Sequence, residues 1–407
     1  MSIPDGFKVS EVGVIPVDWD VKRLGDVADV IMGQSPLGSS YNQKGEGIPL
    51  INGPTEFTNR YPIKIQWTNS PTKICQLGDI LLCIRGSSTG RMNISNDEYC
   101  IGRGVAAIIA KSNCTNSFLE FQVYNAVKLI LKLSVGSTFP NIDSKSLKNL
   151  QIPLPPLAEQ KAIAQSLSDV DNLITAIEKL ITKKRNIKQG TMQELLTGKK
   201  RLPGFTGEWE VKKLGDVADI DSDNLRSDTN PNYCFKYISL ENVEMGKLSD
   251  VSYCVFSSAP SRARRKVQKN DILVATVRPN LKSHLFVKFE VNDLICSTGF
   301  SVIRCNLDNF QPEFIYYHFF ASIIDQQINT LLIGSNYPAI NSSDIKSLKI
   351  PIPPLAEQKA IAKILTEMDE EIEALEKKRE KYKNIKQGMM QELLTGKTRL
   401  KINLEDR

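Results

Sequence analysis

The stretch NIKQGTMQELLTGKKRL, from Asn186 to Leu202, occurs a second time as NIKQGMMQELLTGKTRL, from Asn384 to Leu400. The copies differ at only two of 17 positions although they lie 198 residues apart. Two further blocks recur: WDVKRLGDVADV returns as WEVKKLGDVADI, and STFPNIDSKSLKNLQIPLPPLAEQKAIA returns as SNYPAINSSDIKSLKIPIPPLAEQKAIA. Repeats at a fixed spacing identify the architectural unit of a chain. The sequence therefore contains one scaffold twice.

The segments between the repeated blocks share little sequence. Residues 31–136 and 221–334 show only faint similarity, such as GDILLCIRG (Gly78–Gly86) against NDILVATVR (Asn270–Arg278). Both contain short β-like runs separated by Gly, Asn and Pro, a pattern typical of strands and turns. Each variable segment, with its scaffold edges, has the size of a mixed α/β domain of about 150 residues.

A long helix is predicted after each of the segments PLPPLAEQ and PIPPLAEQ, because proline suits a helix entry but not a helix interior. Apolar residues then follow at steps of three and four, the a/d spacing of a coiled coil. The pattern continues for about 40 residues, or about 60 Å at 1.5 Å per residue. We predict that the two helices pair, and the alternative is an amphipathic helix lying on its own domain. The predicted helix-pairing residues are Ile163, Leu167, Val170, Ile174, Ile177, Ile181, Ile361, Leu365, Met368, Ile372 and Leu375.

The predicted fold class is α+β, with two mixed α/β domains separated by two long antiparallel coiled-coil helices and a pseudo-twofold internal repeat. Two copies of one scaffold that meet through like surfaces produce such symmetry. The PGF turn after Leu202 is predicted to end the first helix. The predicted spans are a first domain at 1–156, a helix at 157–202, a second domain at 203–354, a helix at 355–400 and a tail at 401–407.

Length and composition restrict the class of protein. A chain of 407 residues suits two or more domains. No apolar run approaches the roughly 18 residues that cross a bilayer, and the start MSIPDGFKVSEVG does not resemble a signal peptide. A cytoplasmic location is therefore expected. The net charge of +6 permits binding to a polyanion but does not require it.

The cysteines and histidines do not form a metal-binding pattern. The eight cysteines never occur as CxxC, and only His284 and His318 could supply imidazole ligands. We therefore predict no metal site. The cysteines are interpreted as buried, reduced thiols: Cys75, Cys83, Cys100, Cys114, Cys234, Cys254, Cys296 and Cys305.

Catalytic motifs are scarce. LTGKT (Leu394–Thr398) imitates the end of a phosphate-binding loop, but position 391, where the first glycine belongs, is Gln391. NPNY (Asn230–Tyr233) resembles the NPPY motif of amino-methyltransferases, but it has Asn232 in place of the second proline and no glycine-rich loop before it. A turn is the better interpretation. No catalytic residues are predicted.

Basic and small polar residues are clustered in both variable segments. The first contains GQSPLGSSYNQK (Gly33–Lys44) and RGSSTGR (Arg85–Arg91), and the second contains SRARRK (Ser261–Lys266) and RPNLKSH (Arg278–His284). Arg and Lys bind guanine or phosphates, and Ser and Thr donate to phosphates. For any single residue, a solvated surface role is an equal alternative. The predicted DNA contacts are Arg85, Ser88, Arg91 and Arg103 in the first domain and Arg262, Arg264, Arg278 and Lys282 in the second.

The order of the blocks, the LGDVADV entry, the IPLPPLAEQKAIA and IPIPPLAEQKAIA segments and the LLTGKKRL ending resemble the specificity subunit of type I DNA restriction-modification systems. The resemblance covers essentially the whole chain. It implies that two target-recognition domains each read one half of a split, asymmetric DNA site. It also implies that the two long helices pair antiparallel and hold the domains about one helical turn of DNA apart, roughly 34 Å.

The same resemblance implies the partners. Two modification subunits would methylate adenine with S-adenosylmethionine, and a restriction subunit would translocate DNA with ATP and Mg²⁺, so that this chain itself holds no cofactor. Two identical partners need two identical docking surfaces, and the near-identical NIKQG segments are predicted to serve protein partners and helix pairing. Two other functions stay open from the residues alone. These are a stand-alone nuclease or methyltransferase, and a coiled-coil assembly protein that does not bind DNA.

Overall fold

The computed structural model describes residues 3–133, 141–332 and 338–400. The predicted tail at 401–407 and the first residues of one repeated block, 137–140 and 335–337, lie outside the described residues. The chain divides into two compact units. The first unit comprises Met1–Ile177 and Lys378–Arg407, and the second comprises Glu178–Lys377.

The described chain begins with the strands and helices of the first unit. The strands are β1 (Phe7–Ser10), β2 (Gly13–Pro16), β3 (Asp20–Arg23), β4 (Ala28–Met32), β5 (Tyr41–Asn42), β6 (Ile48–Ile51), β7 (Trp67–Thr68), β8 (Ile74–Cys75), β9 (Ile80–Cys83), β10 (Met92–Ile94), β11 (Tyr99–Ile101), β12 (Val105–Ala110) and β13 (Gln151–Leu154). The helices are α1 (Leu24–Val27), α2 (Asn116–Leu133) and α3 (Ser144–Lys148). The first long helix, α4, then runs over Leu157–Leu196.

The second half of the chain has its own series of strands and helices. The strands are β14 (Glu210–Lys213), β15 (Ala218–Ile220), β16 (Cys234–Ile238), β17 (Val243–Glu244), β18 (Lys247–Leu248), β19 (Ser252–Val255), β20 (Ala263–Val267), β21 (Ile272–Ala275), β22 (Leu285–Phe286), β23 (Leu294–Ser297), β24 (Phe300–Cys305) and β25 (Lys349–Ile352). The helices are α5 (Leu214–Val217), α6 (Pro312–His318), α7 (Ser322–Leu332), α8 (Ser342–Ser347) and the second long helix, α9 (Leu355–Leu393). Strands and helices are thus mixed in both halves, as predicted.

Two sheets form the variable domain of the first unit. One has the order β10-β9-β12-β4, and the other has the order β5-β7-β6-β11-β8 with β11 parallel to β6. All four residues of β9 are buried, because its two faces contact different cores. Ile80 and Leu82 pack with Phe118 of α2, whereas Leu81 packs with Tyr99 of the other sheet. Successive side chains of a strand point to opposite faces, so a wholly apolar strand can lie between two layers.

The variable domain of the second unit has a similar two-sheet arrangement despite its different sequence, although its second sheet has four strands and not five. Its sheets have the orders β15-β24-β21-β22 and β19-β16-β23-β20, again with one parallel pair, β16 and β23. Strand β21 is buried on both faces: Ile272 packs with Phe314 of α6, whereas Leu273 packs with Cys296 of the neighbouring sheet. The internal repeat therefore extends into the segments whose sequences have diverged.

The repeated blocks form the base of each domain. Strands β3 and β13 pair antiparallel in the first unit, and β14 and β25 pair antiparallel in the second. Asp143 caps α3 by accepting a hydrogen bond from Ser146 N at 2.7 Å, and Asn341 caps α8 by accepting from Asp344 N at 3.0 Å. Short polar side chains at this position satisfy amide groups that the first helical turn leaves unpaired.

The long helices have 40 and 39 residues, close to the predicted length. Each begins directly after a Pro-Pro pair, but α4 ends at Leu196, six residues before the predicted end at Leu202. The reason is a glycine two residues after the helix. Gly198 has φ +69°, and its repeat equivalent Gly396 has φ +72°. Glycine adopts this left-handed conformation without strain and ends helices there.

Within each unit, one long helix runs antiparallel to a segment of the other. In the second unit, Lys184 pairs with Glu371 at 2.7 Å and Lys188 pairs with Asp369, so residue numbers rise along one helix of the pair as they fall along the other. In the first unit, Lys386 pairs with Asp171 at 2.6 Å. These contacts agree with the antiparallel prediction inside each unit.

The predicted helix-pairing residues lie on the buried side of the helices. Ile163, Leu167, Ile174, Ile177, Ile181, Ile361, Leu365 and Ile372 are buried, and Val170, Met368 and Leu375 are partly buried. The first turns of each helix also pack on their own domain. Ile163 shares a core with Trp19, and Ile361 shares one with Phe314. Each helix thus pairs with a segment of the other and also packs on its own domain, so both alternatives that the sequence left open apply in part.

The prediction for the cysteines is wrong at one position and only partly right at another. All eight are free thiols, but Cys234 is exposed and Cys254 is partly buried. Cys234 lies on the outer face of β16, where buried Phe235 alternates with exposed Cys234 and Lys236. Among the described residues, no helix combines the length and the apolarity that crossing a membrane requires.

Candidate nucleic-acid interface

In the first unit, two arginine-containing loops meet where strand β9 ends and strand β12 begins. The amide of Ile84, directly after β9, donates to the carbonyl of Gly104 at 3.0 Å. Arg85 follows the first of these residues, and Arg103 precedes the second. The structure therefore brings together two predicted DNA contacts that are 18 residues apart in sequence.

Close backbone packing presents Arg103 at the tip of its loop. A Cβ atom on Gly104 would lie 2.5 Å from the carbonyl oxygen of Asn52, and one on Gly102 would lie 2.2 Å from its Oδ1. Only glycine permits such an approach. The amide of Arg103 donates to Ser35 Oγ at 3.1 Å. The loops that begin at Gly33, Asn52, Arg85 and Gly102 consequently form one surface.

The arginines of this surface differ in what they contact. Arg85 and Arg103 are exposed, and within the described ranges neither guanidinium has a hydrogen bond or an ion pair. Arg91, in contrast, donates to the carbonyls of Pro54 at 3.4 Å and Phe57 at 3.2 Å. Ser88 is partly buried, and its carbonyl accepts from Arg91 N at 3.0 Å. Arg85 and Arg103 are therefore available to a ligand, whereas Arg91 supports the loop.

The second unit repeats this junction with different residues. The amide of Thr276, directly after β21, donates to the carbonyl of Gly299 at 2.8 Å, and the amide of Thr298 donates to the carbonyl of Arg262 at 2.8 Å. Arg278 lies two residues beyond Thr276. Arg262 and Arg278 are exposed, and among described residues no partner contacts either guanidinium. Each unit thus places a pair of free arginines around the loop junction that follows its buried central strand, β9 or β21.

A strained turn presents Arg278. Arg278 and Lys282 flank a 3₁₀ turn (Pro279–Leu281) and have φ +49° and +53°. Non-glycine residues with positive φ cost free energy and are enriched at functional sites. Lys282 Nζ holds the turn by donating to Asp325 Oδ2 at 2.6 Å. Leu281 at the tip is 57% exposed.

Arg264 and Lys282 are held by contacts inside the second unit. The guanidinium of Arg264 lies 5.0 Å from the ring centre of Phe256 and donates to the carbonyl of Ala263 at 2.9 Å. Lys282 is paired with Asp325, as described above. Of the eight predicted contacts, four are exposed and free, namely Arg85, Arg103, Arg262 and Arg278.

Sequence reasoning did not single out Asn52, Thr298 and Leu281. Asn52 lies where three loops meet, and Nδ2 of its side chain donates to Gln66 Oε1 at 3.3 Å. The Asn52-Gly53 dipeptide is a strong turn signal and could have identified this loop. Thr298 takes the position that Arg103 has in the first unit, and no sequence signal marks it.

A buried histidine lies close to one of these loops. Burial lowers the pKa of His284 to about 3, and its Nδ1 accepts from the amide of Ala275 at 3.1 Å. This hydrogen bond holds the ring inside the domain below the Arg278 turn. Over the described ranges, no group of three or more His, Cys, Asp or Glu side chains is placed to hold a metal ion.

Comparison with known proteins identifies a matching family and several similar proteins. The family described as "Type I restriction modification DNA specificity domain" matches residues 16–189 and again residues 206–384. A putative type I restriction enzyme MjaX specificity subunit from Methanocaldococcus jannaschii is 42% identical over 199 residues, which is 48% of this chain and 47% of the relative.

Two other similarities extend over nearly the whole chain. The type I restriction enzyme MjaVIII specificity subunit of the same organism is 29% identical over 98% of this chain and 97% of its own length. The crystal structure of a type I restriction-modification S subunit from M. genitalium superposes with a TM-score of 0.60. It covers 97% of this chain and 98% of that chain at 16% identity, and so supports the fold.

Proposed function

This chain belongs to the type I restriction-modification DNA specificity family, and on that premise we propose that its two variable domains each read one half of a bipartite DNA site. The family match confirms the resemblance that the repeated blocks indicated, the two-repeat α+β fold and the role of a DNA specificity subunit. Its relatives are named specificity subunits, not enzymes, so methylation and cleavage belong to other subunits of the system. DNA and those subunits are its partners.

The observation that carries the half-site proposal is the pair of free arginines in each unit. Arg85 with Arg103, and Arg262 with Arg278, lie at equivalent loop junctions. Arginine binds phosphates and also makes two parallel hydrogen bonds to guanine in the major groove. The loops around the two pairs differ in sequence, which is what two different half-sites require.

The proposed boundaries of the domains and helices follow the internal sequence repeat. Residues 1–156 and 203–354 are the two target-recognition domains, and residues 157–202 and 355–400 contain the scaffold helices. The helices set the spacer between half-sites and dock two modification subunits that use S-adenosylmethionine. A restriction subunit that uses ATP and Mg²⁺ completes the assembly. The repeated scaffold supports two equivalent docking positions, because identical partners require identical surfaces.

Exchange of one variable segment tests the half-site proposal. The chain is co-expressed with a type I modification subunit from the same organism, and methylated adenines are mapped across a genome. Replacing residues 31–136 with the segment of a relative is expected to change one half of the methylated motif and leave the other half unchanged. A motif that keeps both halves would contradict the proposal.

Salt-dependent binding tests the arginines. Replacing Arg85 and Arg103 with alanine is expected to weaken DNA binding and to reduce the slope of log K against log[salt] by about 0.9 for each phosphate that is no longer neutralised. Lys64→Ala is the matched control, since Lys64 is exposed on the same unit but pairs with Asp97. If the double variant and the control had equal slopes, a different surface would have to read the first half-site.

A further inference from the structure

One turn begins in the same way in both units. Ile84 and Thr276, the residues directly after β9 and β21, each accept a backbone hydrogen bond from an isoleucine of the repeated scaffold. The donors are the amides of Ile142 at 3.0 Å and Ile340 at 2.9 Å. These two isoleucines are equivalent in the repeat, since they lie 198 residues apart. The turns that follow Ile84 and Thr276 therefore start from equivalent points of the two domains.

The two turns share their backbone conformation but not their residues. Each has a positive φ at its first and fifth positions. In the first unit these are Gly86 and Gly90, at +80° and +92°, and in the second they are Arg278 and Lys282, at +49° and +53°. Glycine adopts this conformation without strain, whereas a residue with a side chain does so at a cost in free energy. The second unit thus retains strain at both ends of a turn that glycine would form without it.

Contacts on several sides hold the second turn in one conformation. The amide of Arg278 donates to the carbonyl of Pro338 at 2.8 Å, and the amide of Lys282 donates to the carbonyl of Pro279 at 3.0 Å. Pro279 is buried, and the side chain of Lys282 is paired with Asp325. A recognition element that is rigid before it binds loses little conformational entropy on binding. The turn is therefore preorganised to present the two residues at its tip.

The tip consists of Asn280 and Leu281, which are both exposed, Leu281 at 57%. An asparagine in a turn commonly bonds to the backbone of its own turn. Asn306 does so, because its Oδ1 accepts from the amide of Asp308 at 3.0 Å. Within the described ranges, in contrast, the side chain of Asn280 makes no hydrogen bond. A free amide and an apolar group are thus presented side by side.

We propose that Asn280 and Leu281 read an adenine and a neighbouring thymine of the second half-site in the major groove. Asn280 makes two hydrogen bonds to N6 and N7 of the adenine, and Leu281 contacts the C5-methyl group of the thymine. These are the base-edge contacts that suit an amide and an apolar side chain. The free guanidinium of Arg278 positions the tip by binding a phosphate. This inference rests on the proposed function and names residues and bases for the half-site of the second domain.

Base analogues test the two contacts separately. Methylation mapping of the chain with the modification subunit first gives the target motif. Duplexes of that motif are then made with uracil in place of each thymine or 7-deazaadenine in place of each adenine. Uracil lacks only the C5-methyl group, and 7-deazaadenine lacks only the N7 acceptor. For the unaltered complex, binding is expected to weaken about fourfold at one uracil position and about tenfold at one 7-deazaadenine position.

Variants of the tip assign each effect to a residue. In Leu281→Ala the difference between thymine and uracil is expected to disappear, and in Asn280→Ala the difference between adenine and 7-deazaadenine is expected to disappear. Each comparison uses two duplexes with the same protein, so a smaller folded fraction does not alter it.

Leu307→Ala is the matched control for the tip variants. Leu307 is 54% exposed and also follows an asparagine, but it lies beyond the end of β24 that is remote from this turn. The responses of Leu307→Ala to both analogues are expected to equal those of the unaltered complex.

Three results would overturn the inference while the half-site proposal stands. Here the second half-site is the half of the motif that exchange of residues 31–136 leaves unchanged. The first result is a second half-site without an A·T pair, and the second is an unaltered complex that responds to neither analogue. The third is a Leu281→Ala variant that binds every duplex more weakly by one factor, as loss of an apolar wedge between bases would produce. An exchange of residues 31–136 that leaves both halves of the motif unchanged would instead remove the half-site proposal, and with it this inference.

Discussion

Arg399 and Glu159 form a two-pronged ion pair in the first unit, with Nε 2.6 Å from Oε1 and Nη2 2.8 Å from Oε2. Glu159 is only 1% exposed and also accepts a hydrogen bond from Trp19 Nε1 at 3.0 Å. The second unit has the same pair in Arg201 and Glu357, with both distances 2.7 Å. In each unit the arginine lies just after the end of one long helix, and the glutamate lies in the first turn of the other. The repeated LTGK(K/T)RL ending therefore serves the fold of each unit.

Loss of Arg399 is expected to destabilise the first unit. In Arg399→Ala the carboxylate of Glu159 stays buried without its cation. We expect the free energy of unfolding to fall by about 2 kcal/mol. This is less than the 3–5 kcal/mol typical of a fully buried pair, because the Arg399 side chain is 40% exposed. Urea unfolding measures the change. Lys64→Ala, which breaks an exposed pair with Asp97, is expected to leave the urea midpoint nearly unchanged, and equal losses for the two variants would count against this role of Arg399.

Acid is expected to destabilise the second unit through its two buried histidines. Burial lowers the pKa of His284 to about 3 and that of His318 to about 4. In the unfolded chain both titrate near 6.5, so protons bind the unfolded state more readily. Above that pH the histidines do not reduce the free energy of unfolding. As the pH drops from about 6 towards 4, each histidine lowers it by about 1.4 kcal/mol per pH unit.

The first unit provides an internal control for this pH effect, because both histidines of the chain lie in the second unit. Urea unfolding at pH 7 and pH 5, followed by pulse-labelling mass spectrometry, reports the units separately. The urea midpoint of the second unit is expected to shift more than that of the first. Equal shifts would show that other groups dominate the acid response.

The sequence predicted the parts of the fold that repeat and left the remainder open. The a/d spacing located both long helices, because apolar periodicity depends on local geometry. It did not show that β9 and β21 lie between two layers, since a short apolar run has the same appearance in many arrangements. The parallel pairs β6–β11 and β16–β23 join segments that are distant in sequence, and no local signal encodes them.

The candidate interface was predicted to a similar extent. Composition identified the arginine-containing loops, but it could not distinguish Arg85 and Arg103, which are free, from Arg91, whose guanidinium is bound to backbone carbonyls. That difference depends on where the loop at Pro54 lies. Contacts between remote loops decide which charges are available, and a single sequence does not contain that geometry.

Gly104→Ala is expected to disrupt the first half-site interface while leaving the unit folded. The added Cβ would lie 2.5 Å from the backbone oxygen of Asn52, so the loops that hold Arg103 and Asn52 must separate. Overpacking of this kind costs about 1–3 kcal/mol, and we expect specific DNA affinity to fall about tenfold while non-specific binding persists. Lys64→Ala is the control, because it shortens an exposed side chain of the same unit that pairs with Asp97. Fluorescence anisotropy with target and scrambled duplexes measures both affinities, and unchanged specific binding in Gly104→Ala would show that this junction does not contact the DNA.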